Sequence, residues 1–270
     1  MELKLIPTGG LCNRMRAIAS CIAIAQKKHA LVTIYWNKYK GLNADFEKLF
    51  FKINVANVQM TNKSQWLYNV NYTKDYIKRF LIYKIVHKQI FYNYNIYEKK
   101  EDLTGKIPKS SNRPILLISG HPMCKDYAET LRNIFKPQSE IQNKINEIVS
   151  KFAKRTIGLH IRRTDNAASI NNSPLESFMQ IIDEEISKDV QTVFYLATDD
   201  NNIKKKLIQQ YGKKIITFFQ DTNRDSLEGM KIAVIDLFCL SRTNKIIGSV
   251  SSSYSQIAAD LGNIDIQYAK

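Results

Sequence analysis

Apolar and polar positions fall into short alternating blocks along most of this chain. Residues 3–7, "LKLIP", form an apolar strand-like run, "TGGLCN" a turn, and "RMRAIASCIAIAQKKHA" a helix that is apolar on most faces. "LVTIYW" then returns to strand, so the chain opens as a βαβ unit. From about Lys63 to Leu103 the pattern changes to aromatic, basic and Asn-rich sequence. An amphipathic helix is predicted near 74–90, and the segment reads as an insertion or an acceptor-side element. "PILLISG" (114–120) is a buried strand, and "SEIQNKINEIVSKFA" (139–153) is an amphipathic helix leading into a second domain.

Beyond that helix the two periodicities alternate in order. The strands are "TIGLHI", "TVFYLAT", "KIITF" and "KIIGS"; the helices are one from about Pro174, then "DNNIKKKLIQQYG", "SLEGMKIAVIDLFCLS" and "SSYSQIAADLG". Such alternation predicts a parallel sheet with helices on both faces, whose ligands bind beyond the carboxyl ends of the strands. The residues with chemistry fall at those ends: Arg162 and Arg163 after one strand, Asp199 and Asp200 after the next, Ser251 to Ser253 after the last.

An arginine at a strand's end can present its planar guanidinium to two phosphate oxygens at once, which makes a diphosphate the natural ligand. Successive residues of a strand point to opposite faces. Either the chain turns at Arg162 and Arg163, or one arginine holds ligand while the other pairs internally. "SVSSSYSQ" opens a helix, where free N–H groups and hydroxyls make an anion site or simply cap the helix. The glycines of "PTGGLCNR" allow close backbone approach, although the run is neither GxGxxG nor a P-loop. Asp199 and Asp200 read as an N-cap for the following helix, or as a pair for a divalent metal. His160, two positions before Arg162, is either a hydrogen-bonding contact to base or sugar or a satisfied core histidine. His29 and His87 read as surface or helix-side residues and His121 as a turn residue.

Composition sharpens this picture. The 270 residues allow two modest domains, and 40 Lys and Arg against 25 Asp and Glu give a net charge of +15, a surface that attracts anions. Cys12, Cys21, Cys124 and Cys239 lack metal-ligand or CxxC spacing and read as reduced core thiols. The start "MELKLIP" lacks the features of a signal peptide and no apolar run is long enough to span a bilayer, so a cytoplasmic protein is expected. The charge and the Lys-interleaved aromatics of 66–99 also fit a nucleic-acid binder. That class would not need an arginine pair and a serine-opened helix at the ends of parallel strands, and no nucleic-acid partner is expected.

Taken in order, "GGLCNR", "HIRRTD", "FYLATDD" and "AVIDLFCLSRTNKIIGSVSSSYSQIAADLG" resemble the bacterial nodulation fucosyltransferases, the alpha-1,6-fucosyltransferases and, more distantly, the protein O-fucosyltransferases. The resemblance covers the opening βαβ unit and most of 155–262. It implies an α/β, GT-B-like fold of two Rossmann-like domains with a cleft between them. Residues 1–150 would form an acceptor-side domain carrying the insertion near 63–103, and 151–270 a nucleotide-sugar-binding domain. It also implies an inverting, metal-independent transfer of fucose from GDP-fucose to a glycan acceptor, with no other cofactor. Position by position, Arg162 and Arg163 stand where the family's arginines hold the diphosphate, and His160 where its histidine contacts the nucleotide. Asp236 matches an aspartate that reads guanine, and Ser251 and Ser252 match hydroxyls near the phosphates. Gly10, Asn13 and Arg14 resemble a loop that faces the donor from the other domain.

The alpha-1,6 enzymes carry a glutamate, proposed as catalytic base, a few residues after "RRTD". This chain continues "NAASINNSPLES", with no acid until Glu176. Asp165 and Glu176 are the candidates for that role; alternatively the arginines draw out the diphosphate and the acceptor loses its proton late. The reading is a bacterial enzyme of surface polysaccharide synthesis. For an acceptor carried on a lipid diphosphate, the segment 66–99 is expected to make peripheral membrane contact at the cytoplasmic face through Lys74, Lys78, Arg79 and Lys84, the alternative being an ordinary amphipathic helix that covers the first domain. The alternatives are a transferase for another nucleotide sugar and a non-catalytic binding protein.

Overall fold

The structure, a computed structural model, describes residues 1–61, 66–69, 76–93, 102–164, 167–220 and 223–270. The chain divides into two compact units, Met1–Gln138 with Arg224–Leu227, and Ser139–Asn223 with Glu228–Lys270.

The first unit is built on a five-stranded parallel sheet of β1 (Glu2–Pro7), β2 (Leu31–Tyr35), β3 (Val58–Thr61), β4 (Gln89–Asn93) and β5 (Ile115–Ser119), in the order β3-β2-β1-β5-β4. Between β1 and β2 runs α1 (Leu11–Lys28), whose apolar circumference has a physical reason: it lies between the strands and α4 (Tyr127–Ile134), so nearly all of it is buried. Gly9 at φ +73° makes the turn into α1, and His29 in the left-handed region ends it by returning its N–H to Gln26. The short α2 (Phe46–Leu49) brings Phe46 and Phe50 against Trp36 and Phe135. The helix expected near 74–90 is α3 (Tyr76–Val86), and it leads straight into β4 at the sheet's edge. The insertion expected over 63–103 therefore supplies an edge strand and a surface helix of this unit, although part of it lies outside the described residues. Arg224–Leu227 is held here by the hydrogen bonds from Asn43 N to Arg224 O, from Asn43 Nδ2 to Asp225 O, and from Gly41 N to the Asp225 carboxylate.

The second unit has β6 (Thr156–Ile161) at the centre of a parallel sheet with β7 (Val193–Thr198), β8 (Ile215–Ile216), β9 (Lys245–Ser249) and β10 (Asp265–Ala269), in the order β10-β9-β6-β7-β8. Because side chains alternate along β6, Ile157, Leu159 and Ile161 face one layer. They pack with Phe178 and Ile182 of α7 (Leu175–Lys188), which follows the short α6 (Ala167–Asn172), and with Leu207 of α8 (Asn201–Tyr211). Gly158 and His160 face the other layer, toward α9 (Leu227–Leu240) and α10 (Ser253–Gly262). The division falls at Gln138 rather than near residue 150, because α5 (Ser139–Val149) joins the second unit. It buries Ile141, Ile145 and Ile148, and its Glu140 pairs with Lys231 of α9. The edge strand β10 escaped prediction because only Ala269 of its five residues is buried.

A candidate nucleotide-sugar site

The second sheet reverses direction beside β6: the chain builds β7 and β8 to one side, then crosses to β9 and β10 on the other. The gap beyond the carboxyl ends of β6 and β9 is the position where open parallel sheets take ligands. His160 of β6 is paired in register with Ala197 of β7 and Gly248 of β9, so the strand that ends in "RRT" emerges between its two neighbours.

Those neighbours grip the turn from both sides. Ser249, the last residue of β9, accepts the Arg162 N–H at 3.0 Å. From the end of β7, the Asp199 carboxylate accepts the Arg163 N–H at 2.8 Å and the Thr164 hydroxyl at 2.6 Å, and pairs with Arg162 Nη1 at 3.0 Å. Asp200 caps α8 by accepting the Asn202 N–H. The two adjacent aspartates thus do separate jobs, and the cap expected of the pair belongs to Asp200 alone.

Strand alternation divides the arginines as well. Arg163 turns toward α7, donating to the carbonyls of Ser173 and Arg162 with its guanidinium over Phe178. Burial lowers its pKa, opposed by Asp199 and then Glu176. Arg162 points the other way and keeps a side chain 19% exposed beside Asp199. Both arginines thus have partners within the unit, Arg162 in the Asp199 carboxylate and Arg163 in two carbonyls. His160 is buried, its Nδ1 lies 2.7 Å from Ser255 Oγ and its ring stacks on Tyr254 at 4.7 Å. Burial, and next the charge on Arg162, push its pKa down to about 3, so the ring is neutral near pH 7. Gly248 makes this pairing possible, since a Cβ there would sit 2.5 Å from Ser255 Oγ.

The strand β9 hands over to α10 through Ser251, at φ +59°, and Ser252, the N-cap residue, whose side chain makes no capping bond. The helix N-terminus therefore keeps its partial positive charge beside Arg162's strand. Asp236, in α9, is buried and accepts the Tyr195 hydroxyl at 2.5 Å. Its burial raises its pKa to about 6, against the Tyr195 hydrogen bond and the Lys204 charge. Glu176 is exposed in the first turn of α7, while Asp165 lies outside the described residues.

In the first unit, Arg14 is 1% exposed and is committed to the interior. Its Nε donates to Gly9 O and its Nη1 to Asn37 O, with the Trp36 and Tyr39 rings alongside. Expected as a donor contact, Arg14 instead holds the glycine turn in shape. Gly10 has open space where a Cβ would stand, and Asn13 Oδ1 is buried with no hydrogen-bond partner among the described residues.

Ser249 and Ser255 were not singled out from sequence, and Asp199 was expected only as a cap or a metal ligand. The adjacent "DD" and the serine-rich run are the only signals they leave. Asp199→Asn should lower kcat/KM about 10- to 100-fold, because the network around a charged acceptor is lost, with a larger effect on kcat than on donor KM. Steady-state kinetics beside a thermal unfolding curve check this; unchanged kcat would mean that Asp199 only stabilises the turn.

Residues 17–264 match the family described as alpha-(1,6)-fucosyltransferase N- and catalytic domains. The chain belongs to this family. It is accordingly a fucosyltransferase with a GT-B-type α/β fold. Among solved structures it resembles the NodZ alpha-1,6-fucosyltransferase soaked with GDP-fucose (TM-score 0.68, 17% identity, covering 97% of this chain and 93% of that one); NodZ has also been solved from Bradyrhizobium. Arabidopsis thaliana FUT1, as a variant in complex with GDP, aligns with TM-score 0.64 and 14% identity over 99% of this chain and 69% of its own. POFUT1 in complex with GDP gives 0.61 and 13% identity over 99% and 98%. No curated protein sequence gives a significant match. Among the described residues no group of three or more His, Cys, Asp or Glu side chains is placed to hold a metal ion.

Proposed function

We propose that this fucosyltransferase uses GDP-fucose, inverts the sugar's configuration without a metal, and adds fucose to a glycan acceptor in bacterial surface polysaccharide synthesis at the cytoplasmic side. The observation that carries the reading is the placement of Arg162, held by Asp199, at the same strand edge as the uncapped N-terminus of α10. Both offer positive charge to one small volume, as a departing diphosphate requires.

In the reaction the acceptor oxygen bonds to the sugar's anomeric carbon from the face opposite the diphosphate. The bond from that carbon to the diphosphate oxygen breaks, and GDP leaves with the electron pair. Arg162 and the N–H groups and hydroxyls of Ser251 and Ser252 receive the charge that develops on the phosphate. His160, neutral and fixed by Ser255, offers a hydrogen bond to the nucleotide, and Asp236 a carboxylate for guanine. Within the first unit, the orphan Asn13 Oδ1 is an acceptor open to a donor on a ligand. The acceptor proton departs late, to Glu176 or to water, because strong pull on the leaving group reduces the need for a base. Metal independence is supported by the engagement of both strand-end aspartates, Asp199 with the turn and Asp200 with α8.

Titration calorimetry with GDP, UDP and ADP, each in EDTA, tests the reading. GDP should bind at least about tenfold more tightly than the others, and transfer should persist in EDTA. Equal affinities would transfer the assignment to another nucleotide sugar, and loss of transfer with recovery in manganese would overturn metal independence.

A further inference from the structure

The helix α3 is inside out. Its inward stripe is Arg79, Tyr83 and, just past its end, His87, all buried. Arg79 donates to Asn69 O, Tyr83 to Leu67 O, and the His87 ring meets the Tyr68 hydroxyl at 3.2 Å. Its outward stripe is aliphatic: Ile77 is 75%, Leu81 55% and Ile85 72% exposed, joined by Val86. In water alone this arrangement is unfavourable, since three large aliphatic side chains lie outside while an arginine and a histidine are desolvated within.

The charges beside the stripe say what covers it. At about 100° per residue, Lys84 falls on one flank of the Ile77, Leu81 and Ile85 stripe and Lys78 on the other. Lys88 follows immediately, and all three lysines are exposed. From Tyr76 to Tyr97 the sequence has no aspartate or glutamate. Trp66, partly exposed, lies under the Lys78 ammonium at 5.9 Å. An aliphatic ridge with one lysine on each flank, a third just beyond it and an indole beside Lys78 matches the boundary of an anionic bilayer: the ridge enters the acyl region while the lysines reach the headgroups.

We propose that α3 is a peripheral docking surface for anionic phospholipid bilayers, lying in the plane of the interface with Ile77, Leu81 and Ile85 inserted. The surface differs from the one expected of the segment in sequence. Arg79 is buried and takes no part, Lys74 lies outside the described residues, and Lys88 joins Lys78 and Lys84. Docking of this kind would hold the enzyme where an acceptor on a lipid carrier is found, yet it rests on α3 alone and not on the choice of donor.

The test is co-sedimentation of the full chain with vesicles of phosphatidylcholine, alone or mixed with phosphatidylglycerol. The parent should pellet with the mixed vesicles and be released by salt. One variant combines Lys78→Gln, Lys84→Gln and Lys88→Gln, and should bind on the order of 100-fold more weakly. A second combines Ile77→Ser, Leu81→Ser and Ile85→Ser, and should lose most of its binding. Both should keep the parent's unfolding temperature and GDP affinity, because every altered side chain is exposed. A parent that stays in solution with mixed vesicles, or variants that pellet equally well, would overturn the proposal. So would a parent dimer split by the serine variant, since a second copy would then be the ridge's partner. Failure of the parent to bind GDP would count against the donor assignment only.

Discussion

Replacing Arg162 with alanine is expected to lower kcat/KM for fucosyl transfer about 30- to 1000-fold. This corresponds to about 2–4 kcal/mol of lost transition-state stabilisation for a group facing a charged leaving group. The unfolding temperature should change little, because the Arg162 side chain is partly solvated and its backbone stays held by Ser249. Arg162→Lys should recover little, since one ammonium cannot reproduce the two parallel hydrogen bonds of a guanidinium. Arg163→Ala should also reduce transfer, but with a measurable loss of stability. That side chain supports the Ser173 and Arg162 carbonyls and packs over Phe178, so removing it loosens the turn from beneath. Kinetics and thermal unfolding on the three variants separate a residue that meets substrate from one that supports it. Unchanged turnover in Arg162→Ala would remove the basis of the proposed mechanism.

The second large effect is on stability and lies away from the proposed site. Glu185, in α7, is 2% exposed, yet it pairs with the guanidinium of Arg155 and with Lys188 and Lys245 at 2.8 and 2.9 Å. Glu185→Gln should destabilise the fold by about 3 kcal/mol, at the lower end for a broken buried pair because the three cations reach solvent. These partners outweigh burial and hold the Glu185 carboxyl down at about 2, against an ordinary 4.5. A carboxyl depressed in the folded state contributes stability that is fully present above its unfolded value. That contribution fades as pH falls from about 4.5 through about 2. Denaturant unfolding followed from pH 7 to 2 should therefore show the parent losing stability over this window and the variant following a flatter curve. Parallel curves would show that the three cations do not depend on Glu185.

Much of the architecture was legible because its signals are local. The continuous apolar run of β6 and the apolar circumference of α1 mark buried elements wherever the chain places them. The strand and helix periods alternating beyond residue 155 specify a parallel sheet with helices on both faces. The place of "RRT" at a strand's end and of serines at a helix's start likewise needs only counting along the chain. The edge strands were harder: of "KIITF" only two residues pair as β8, and β10 buries one residue of five and carries no strand pattern.

What only the tertiary structure decided depends on neighbours that sequence separates. Asp199 clamps the arginine turn because β7 pairs with β6 in one register, 36 residues away from the Arg163 amide it accepts. Ser255 reaches His160 because β9 carries a glycine at the crossing, and Arg14 is buried because Asn37 and two aromatic rings close over it. In α3 the helical period identified two opposite faces but not which would turn inward. Tyr68, Asn69 and Leu67 settled it by giving the polar stripe its hydrogen bonds, leaving the aliphatic stripe outside. Periodicity and charge belong to the chain by itself, whereas the partner that satisfies a buried polar group is chosen by strand order, register and packing.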